Sequence, residues 1–252
     1  MIKPPERFPR KPVKPCTPPK QKGVNAMTMA LGMRFRDGIV LAADQELSAE
    51  GSHKFQEEKI FVTDEFYWAV LMAYADTPAL AKEAKERIIS KLIELKEQAD
   101  NRPETHITNQ TIHDVAESVL MVEMGQRQWN PLNLQMLIVG SVPFLLPEMW
   151  VYRDQALYRA DDFTTLALGD LSLIQYLRAM YSPNDYLKTG KRLAVYLMTE
   201  ATKHIHRVGE PIDIISITDG GWERLNAEEV QQIRTEIENK ERGALRSLIL
   251  DF

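Results

Sequence analysis

Cysteine is nearly absent from these 252 residues: Cys16 is the only thiol. An intrachain disulfide and a cysteine-rich zinc site are thereby excluded, which fits a reducing compartment. No apolar run approaches the roughly 20 residues needed to cross a bilayer, and no short apolar segment follows the basic N-terminus as a secretory signal requires. The expectation is a cytoplasmic protein that engages no membrane. Histidine is sparse at five residues. His204 and His206 stand two apart on an expected helix and so face different directions, while His53, His106 and His113 are scattered, so no metal is expected. Asp219-Gly220-Gly221 follows a strand but lacks the lysine and spacing of a phosphate loop, and no nucleotide or organic cofactor is implied.

The charge is unevenly spread. Residues 1–26 hold seven of the fourteen prolines, and five lysines and two arginines against the single acid Glu6. Such a composition predicts a disordered extension or propeptide covering residues 1–27. Removing its +6 from the chain's net −5 leaves about −11 on residues 28–252, an acidic body with no case for nucleic-acid binding. At 44% hydrophobic and 27% charged, that body is long enough for one domain with a large core.

Where the tail ends, the chain reads Thr28-Met-Ala-Leu-Gly32, then an Asp37-Gly38 turn, Ala-Ala-Asp44, and Lys59-Ile-Phe61 after a polar loop. A threonine hydroxyl is a poor nucleophile unless a base takes its proton, and a free α-amine of pKa about 7.7–8.0 suits that task. If Thr28 begins the mature chain, it carries nucleophile and base on one residue. A neighbouring Lys59 would keep the amine neutral by its positive potential, and a buried Asp44 would hold that lysine by a charge-assisted hydrogen bond. The plainer readings are a turn carboxylate for Asp44 and an edge-strand lysine for Lys59.

This stretch resembles the opening of a proteasome β-type subunit or its bacterial HslV-related relatives, which are N-terminal-nucleophile hydrolases. The resemblance implies that Thr28, Asp44 and Lys59 are catalytic, that the backbone N–H of Ala73 holds the oxyanion, and that Gly32 lies on the first strand. It further implies a homo-oligomeric ring or stack, peptide or protein substrates, and an ATP-dependent unfoldase as a possible partner. The chain departs from the family at several points. Met27 replaces the glycine that usually precedes the threonine, so initiation at Met27 with methionine removal is the expected route to a free Thr28. Gly169-Asp170-Leu171 stands for a Gly-Ser-Gly, leaving Asp170 as a supporting acceptor or a helix cap. A supporting Asp and Ser align near Ile205 and Val208. Two alternatives to a threonine peptidase follow: a catalytically silent assembly subunit, and a small-molecule amidase of the same class.

Periodicity predicts strands over 28–34, 38–44, 60–63 and 66–73, the last pair turning at Asp64-Glu65. A helix follows from Thr77-Pro78 to about Gln98 with Leu80, Ala84, Ile88, Leu92 and Leu95 inward, while Ala79-Ala81-Ala84 among Lys and Glu reads as a solvated face. A second helix, capped by Thr108 or Asn109, would turn Ile112, Val115, Val119 and Val122 inward. Strands over 134–141, 148–152, 156–159 and 163–168, helices over 170–180 and 184–206, a buried strand over 212–218 and a helix over 227–248 complete the order. It suits an α+β four-layer αββα sandwich.

Overall fold

The computed structural model describes residues 29–48, 54–65, 68–76, 78–100, 107–124, 134–166, 171–205 and 208–250. Strands β1 (Ala30–Phe35), β2 (Gly38–Asp44), β3 (Glu46–Ser48), β4 (Lys54–Gln56), β5 (Ile60–Glu65) and β6 (Trp68–Asp76) precede α1 (Pro78–Asp100) and α2 (Asn109–Glu117). Then come β7 (Leu134–Ser141), β8 (Glu148–Arg153), β9 (Ala156–Arg159), β10 (Phe163–Leu166), α3 (Leu171–Met180), α4 (Leu187–His204), β11 (Ile212–Thr218), β12 (Gly221–Arg224) and α5 (Ala227–Leu250). One antiparallel sheet has the order β10-β1-β2-β11-β12, a second has β5-β6-β7-β8-β9, and β3 and β4 form a separate two-stranded ribbon.

Side-chain alternation along the strands generates the layers. On β2, Val40 and Ala42 join Leu31, Met33 and Phe35 of β1 against α4. From the other face, Ile39, Leu41 and Ala43 meet Leu71, Ala73, Leu137 and Val151 of the second sheet. Val70, Met72 and Tyr74 of β6 then point outward into a cluster with Ile88, Leu92, Ile112 and Val119 from the α1–α2 side. Three apolar layers between four layers of structure make the αββα sandwich. Because both sheets are covered on both faces, β2 is buried at every residue and shows little polar alternation.

Two glycines mark where backbones approach closely. A Cβ on Gly38 would stand 2.1 Å from the Ile217 carbonyl oxygen, so the hairpin from β1 packs directly on β11. Gly190 interrupts the good helix formers of α4 because a Cβ there would lie 2.3 Å from the Phe35 ring. Asp37, in the same hairpin, accepts a hydrogen bond from the Leu187 N–H at 2.8 Å and so satisfies a donor at the start of α4.

Several expectations require correction. The polar loop before Lys59 contains the β3–β4 ribbon, so six strands, not four, precede α1. Asp64 and Glu65 belong to β5, with Glu65 paired to Trp68, so they are not the turn between the two strands. Ala81 and Ala84 are buried; they form an inward stripe with Ile88 and Leu92, and their small size lets α1 lie close to the sheet. Val122 is 51% exposed and Met124 is buried in its stead. The cause is a π-helical turn over Ser118–Glu123, in which the Met124 N–H reaches the Val119 carbonyl at 3.0 Å. Such a turn holds an extra residue and advances the helical phase. Strand β12 had no sequence signal because all four of its residues are exposed.

Candidate active site

The β3–β4 ribbon brings the candidate residues together. Its register pairs Glu46 with Gln56, and the Glu57 N–H extends the pairing to the Gln45 carbonyl at 2.8 Å. The returning chain therefore passes beside the end of β2, and Lys59, just before β5, meets Asp44, the last residue of β2. Lys59 Nζ lies 2.9 Å from Asp44 Oδ2, with both side chains fully buried. The ammonium also donates to the Glu46 carbonyl at 2.5 Å. Asp44 is the last residue of β2 and Lys59 adjoins the edge strand β5, as the plainer readings place them, but neither side chain faces water.

Asp44 has two further partners. Its Oδ1 accepts the Met29 N–H at 2.9 Å, and its Oδ2 accepts the Gly209 N–H at 3.4 Å. Met29 and Asp44 are bound a second time through the Asp44 N–H and the Met29 carbonyl at 3.3 Å. The carboxylate thus fixes the residue that follows Thr28, the lysine, and the loop leading to β11. Burial pushes the Asp44 carboxyl up, opposed by Lys59 and by the two backbone donors. Burial likewise pushes the Lys59 ammonium down, opposed by Asp44. Both directions state the same physics: this corner of the fold disfavours charge, and the pair persists through mutual attraction and hydrogen bonding.

Ala73 stands opposite Ile60 in the first pair of the β5–β6 ladder, one residue along from Lys59, and is fully buried. Gly32 lies on β1 in the layer between the sheets, where a Cβ would come 2.4 Å from Met149 Sδ. Thr28, the extension over residues 1–27, Gly169 and Asp170 lie outside the described residues. Ile205 ends α4 and Val208 is buried, joined by a Val208 N–H to Ile205 carbonyl bond of 3.2 Å. Their side chains bring no polar group, yet the next residue, Gly209, supplies its N–H to Asp44.

Sequence reasoning missed the backbone partners Glu46 and Gly209, since any residue carries an N–H and a C=O. Gly209 has a steric reason to be glycine: a Cβ there would meet Glu46 Oε2 at 2.2 Å. Tyr74, beside Ala73 but turned into the α1–α2 cluster, has its phenol pushed up by burial and next by the Glu57 carboxylate. Among the described residues, His113, Asp114 and Glu117 bring potential metal-ligand atoms within 4.8 Å of one another. They sit on α2, not at the Asp44–Lys59 pair, and Asp114 is engaged by Gln110 at 2.7 Å.

Two antiparallel sheets flanked by helices, with a buried carboxylate and lysine at the end of the first hairpin, define the class: an αββα sandwich of the N-terminal-nucleophile type. The family model described as Proteasome subunit matches residues 24–217, and the chain belongs to that family. It is 29% identical over 207 residues to proteasome subunit beta 2 of Pyrobaculum neutrophilum, covering 81% of this chain and 95% of that one. It is 24% identical over 220 residues to proteasome subunit alpha of Methanococcus maripaludis, covering 84% and 79%. Among solved structures it is similar to an Anbu (Gly-1) mutant from Hyphomicrobium sp. strain MC1, with a TM-score of 0.67, 17% identity and coverage of 88% and 99%. It is also similar to Anbu from Pseudomonas aeruginosa, described as a helical assembly, with a TM-score of 0.60, 15% identity and coverage of 87% and 96%. Among the described residues no helix is long and apolar enough to cross a membrane.

Proposed function

We propose that this chain is a threonine-type peptidase or amidohydrolase acting through Thr28, and that residues 1–27 are absent from its working form. The observation that carries the reading is the buried Asp44–Lys59 pair whose carboxylate grips the Met29 N–H. Position 28 is one peptide unit away, with adjacent Cα atoms about 3.8 Å apart. In this reading Thr28 Oγ attacks a substrate carbonyl while its proton passes to the Thr28 amine. The oxyanion that forms is held by the Ala73 N–H, a contribution of about 3–4 kcal/mol for a donor of this kind. Collapse breaks the C–N bond, the protonated amine gives its proton to the leaving nitrogen, and an ester on Thr28 remains. Water then attacks that ester, releases the acid and restores the hydroxyl. Lys59 supplies positive potential throughout, Asp44 orients Lys59, and Asp170 is a candidate support for the amine.

Family membership supports peptide or protein substrates and a cytoplasmic setting, and an ATP-dependent unfoldase is the partner this reading would add. The helical assembly described for one structural neighbour favours a homo-oligomeric stack or ring. A second reading, a silent assembly subunit, is favoured by Met27 before the threonine, by the apolar Ile205 and Val208, and by the similarity to α-type subunits. A β-lactone or epoxyketone probe separates the two. Labelling at position 28 that disappears in Thr28→Ala supports catalysis. A folded chain beginning at residue 28 that takes no label supports the silent subunit. Native mass of the assembled protein distinguishes a ring or stack from a compact small-molecule amidase.

A further inference from the structure

Arg224, the last residue of β12, ties both sheets together beside the candidate site. Its Nη2 donates to the Ile60 carbonyl at 3.1 Å, its Nη1 lies 2.7 Å from Glu58 Oε1, and its Nε lies 3.4 Å from Asp213 Oδ1. Glu58 and Ile60 are the two neighbours of Lys59 in the chain. Asp213, on β11, is paired with Ala43, the residue before Asp44, and Ile212 is paired with Asp44 itself. One fork thus grips the chain on both sides of the lysine and holds it to the strand next to the aspartate. Trp222, two residues earlier on β12, adds a parallel tether from its Nε1 to Asp64 of β5 at 3.0 Å.

We propose that Arg224, anchored on Asp213, is a positioning residue that sets the register of Lys59 against Asp44. The proposal rests on the reading of Lys59 as the source of positive potential at Thr28. Three features argue for a positioning role over an incidental surface pair. The Asp213 side chain is 3% exposed, so its charge is desolvated and would not be placed there without a partner. Three nitrogens of a single guanidinium face acceptors at once, one in a hydrogen bond to Ile60 and two in ion pairs with Glu58 and Asp213, an arrangement that needs a planar fork and cannot be reproduced by a lysine. The acceptor on the second sheet is the backbone of the residue following Lys59, so displacing Arg224 moves main chain and not merely a side chain.

The test is the titration of Lys59 in the protein beginning at Thr28, read by NMR of ε-13C lysine with a Lys59→Met sample for assignment. In the unaltered chain burial holds the ammonium below its ordinary value. Arg224→Lys keeps the cation and loses the fork, so a movement of the Lys59 titration in this variant reports displacement against Asp44, whose attraction opposes the effect of burial; the expected shift is about one unit. Arg224→Gln also deletes a cation, which by itself moves Lys59 upward, so this variant is read by the labelling rate and serves if the lysine variant does not fold. A folded Arg224→Lys with Lys59 titrating as in the unaltered chain overturns the proposal. Probe labelling at Thr28 on the same samples is expected to slow about tenfold in Arg224→Gln, since displacements near 1 Å cost up to 10²-fold. An unaltered chain that takes no label rejects catalysis at Thr28 and leaves the Lys59 titration to decide the role of Arg224. Normal labelling together with an unmoved Lys59 rejects the clamp alone.

Discussion

The two ends of β2 satisfy polar groups in opposite ways. At the Gly38 end, Asp37 faces the start of α4 and accepts the Leu187 N–H, while Gly38 lets backbone approach backbone. Each feature there serves folding, and a charged side chain is used where solvent is near. At the Asp44 end, a carboxylate and an ammonium are buried with no exposure, and burial works against the charge of both. Packed apolar groups would fill that volume at lower cost. On the proposed reading, the difference separates residues that make the fold from residues that the fold carries for chemistry.

The largest effect is expected from breaking the buried pair on one side. Lys59→Met leaves Asp44 buried and unpaired and is expected to lower stability by about 3–5 kcal/mol, read by denaturant unfolding, with complete loss of probe labelling. The double variant Asp44→Leu/Lys59→Met is expected to regain most of that stability and remain unlabelled. A double variant as unstable as the single one would make the pair a folding element like the Gly38 end.

Asp213 extends the comparison to pH. Burial raises its carboxyl from 3.8 to about 6, opposed by Arg224. Between about pH 4 and 6 the folded state therefore holds more proton than the unfolded state, so this group makes stability fall as pH rises through that window. Unfolding at pH 4 and pH 7 is expected to show a decline of at most about 3 kcal/mol from this group, absent in Asp213→Asn. The same slope in both proteins would show that Asp213 does not titrate there.

At the opposite end the expected costs are smaller and leave the chemistry alone. Gly38→Ala forces the Ile217 carbonyl to move and is expected to cost about 1–3 kcal/mol without altering the labelling rate per folded molecule. Asp37→Ala removes one capping hydrogen bond and should cost about 1 kcal/mol. Loss of labelling in either variant would couple the two ends and erase the distinction drawn between them.

The sequence made legible what side-chain type and spacing encode. The runs over 38–44, 134–141 and 212–218 are continuous apolar strands because both faces of each sheet are covered, and Asp-Gly announces the hairpin between β1 and β2. Asp44 and Lys59 stood out because their types and order after Thr28 suit an N-terminal nucleophile and resemble the opening of a proteasome β-type subunit. What escaped notice has no side-chain signature. The π turn after α2 is a backbone event that displaces Val122 and buries Met124. The donor at Gly209 and the acceptor at Glu46 are main-chain groups. Strand β12, exposed at every residue, gave no alternation to read, so Arg224 could not be placed beside Lys59 until the sheets were assembled.

The central claim is a free amine at position 28 next to the Asp44–Lys59 pair. Its most direct test is the intact mass and N-terminal sequence of the protein purified from its native host. The account predicts a chain beginning at Thr28, lighter by residues 1–27. A working protein that keeps those residues joined to Thr28 would contradict it.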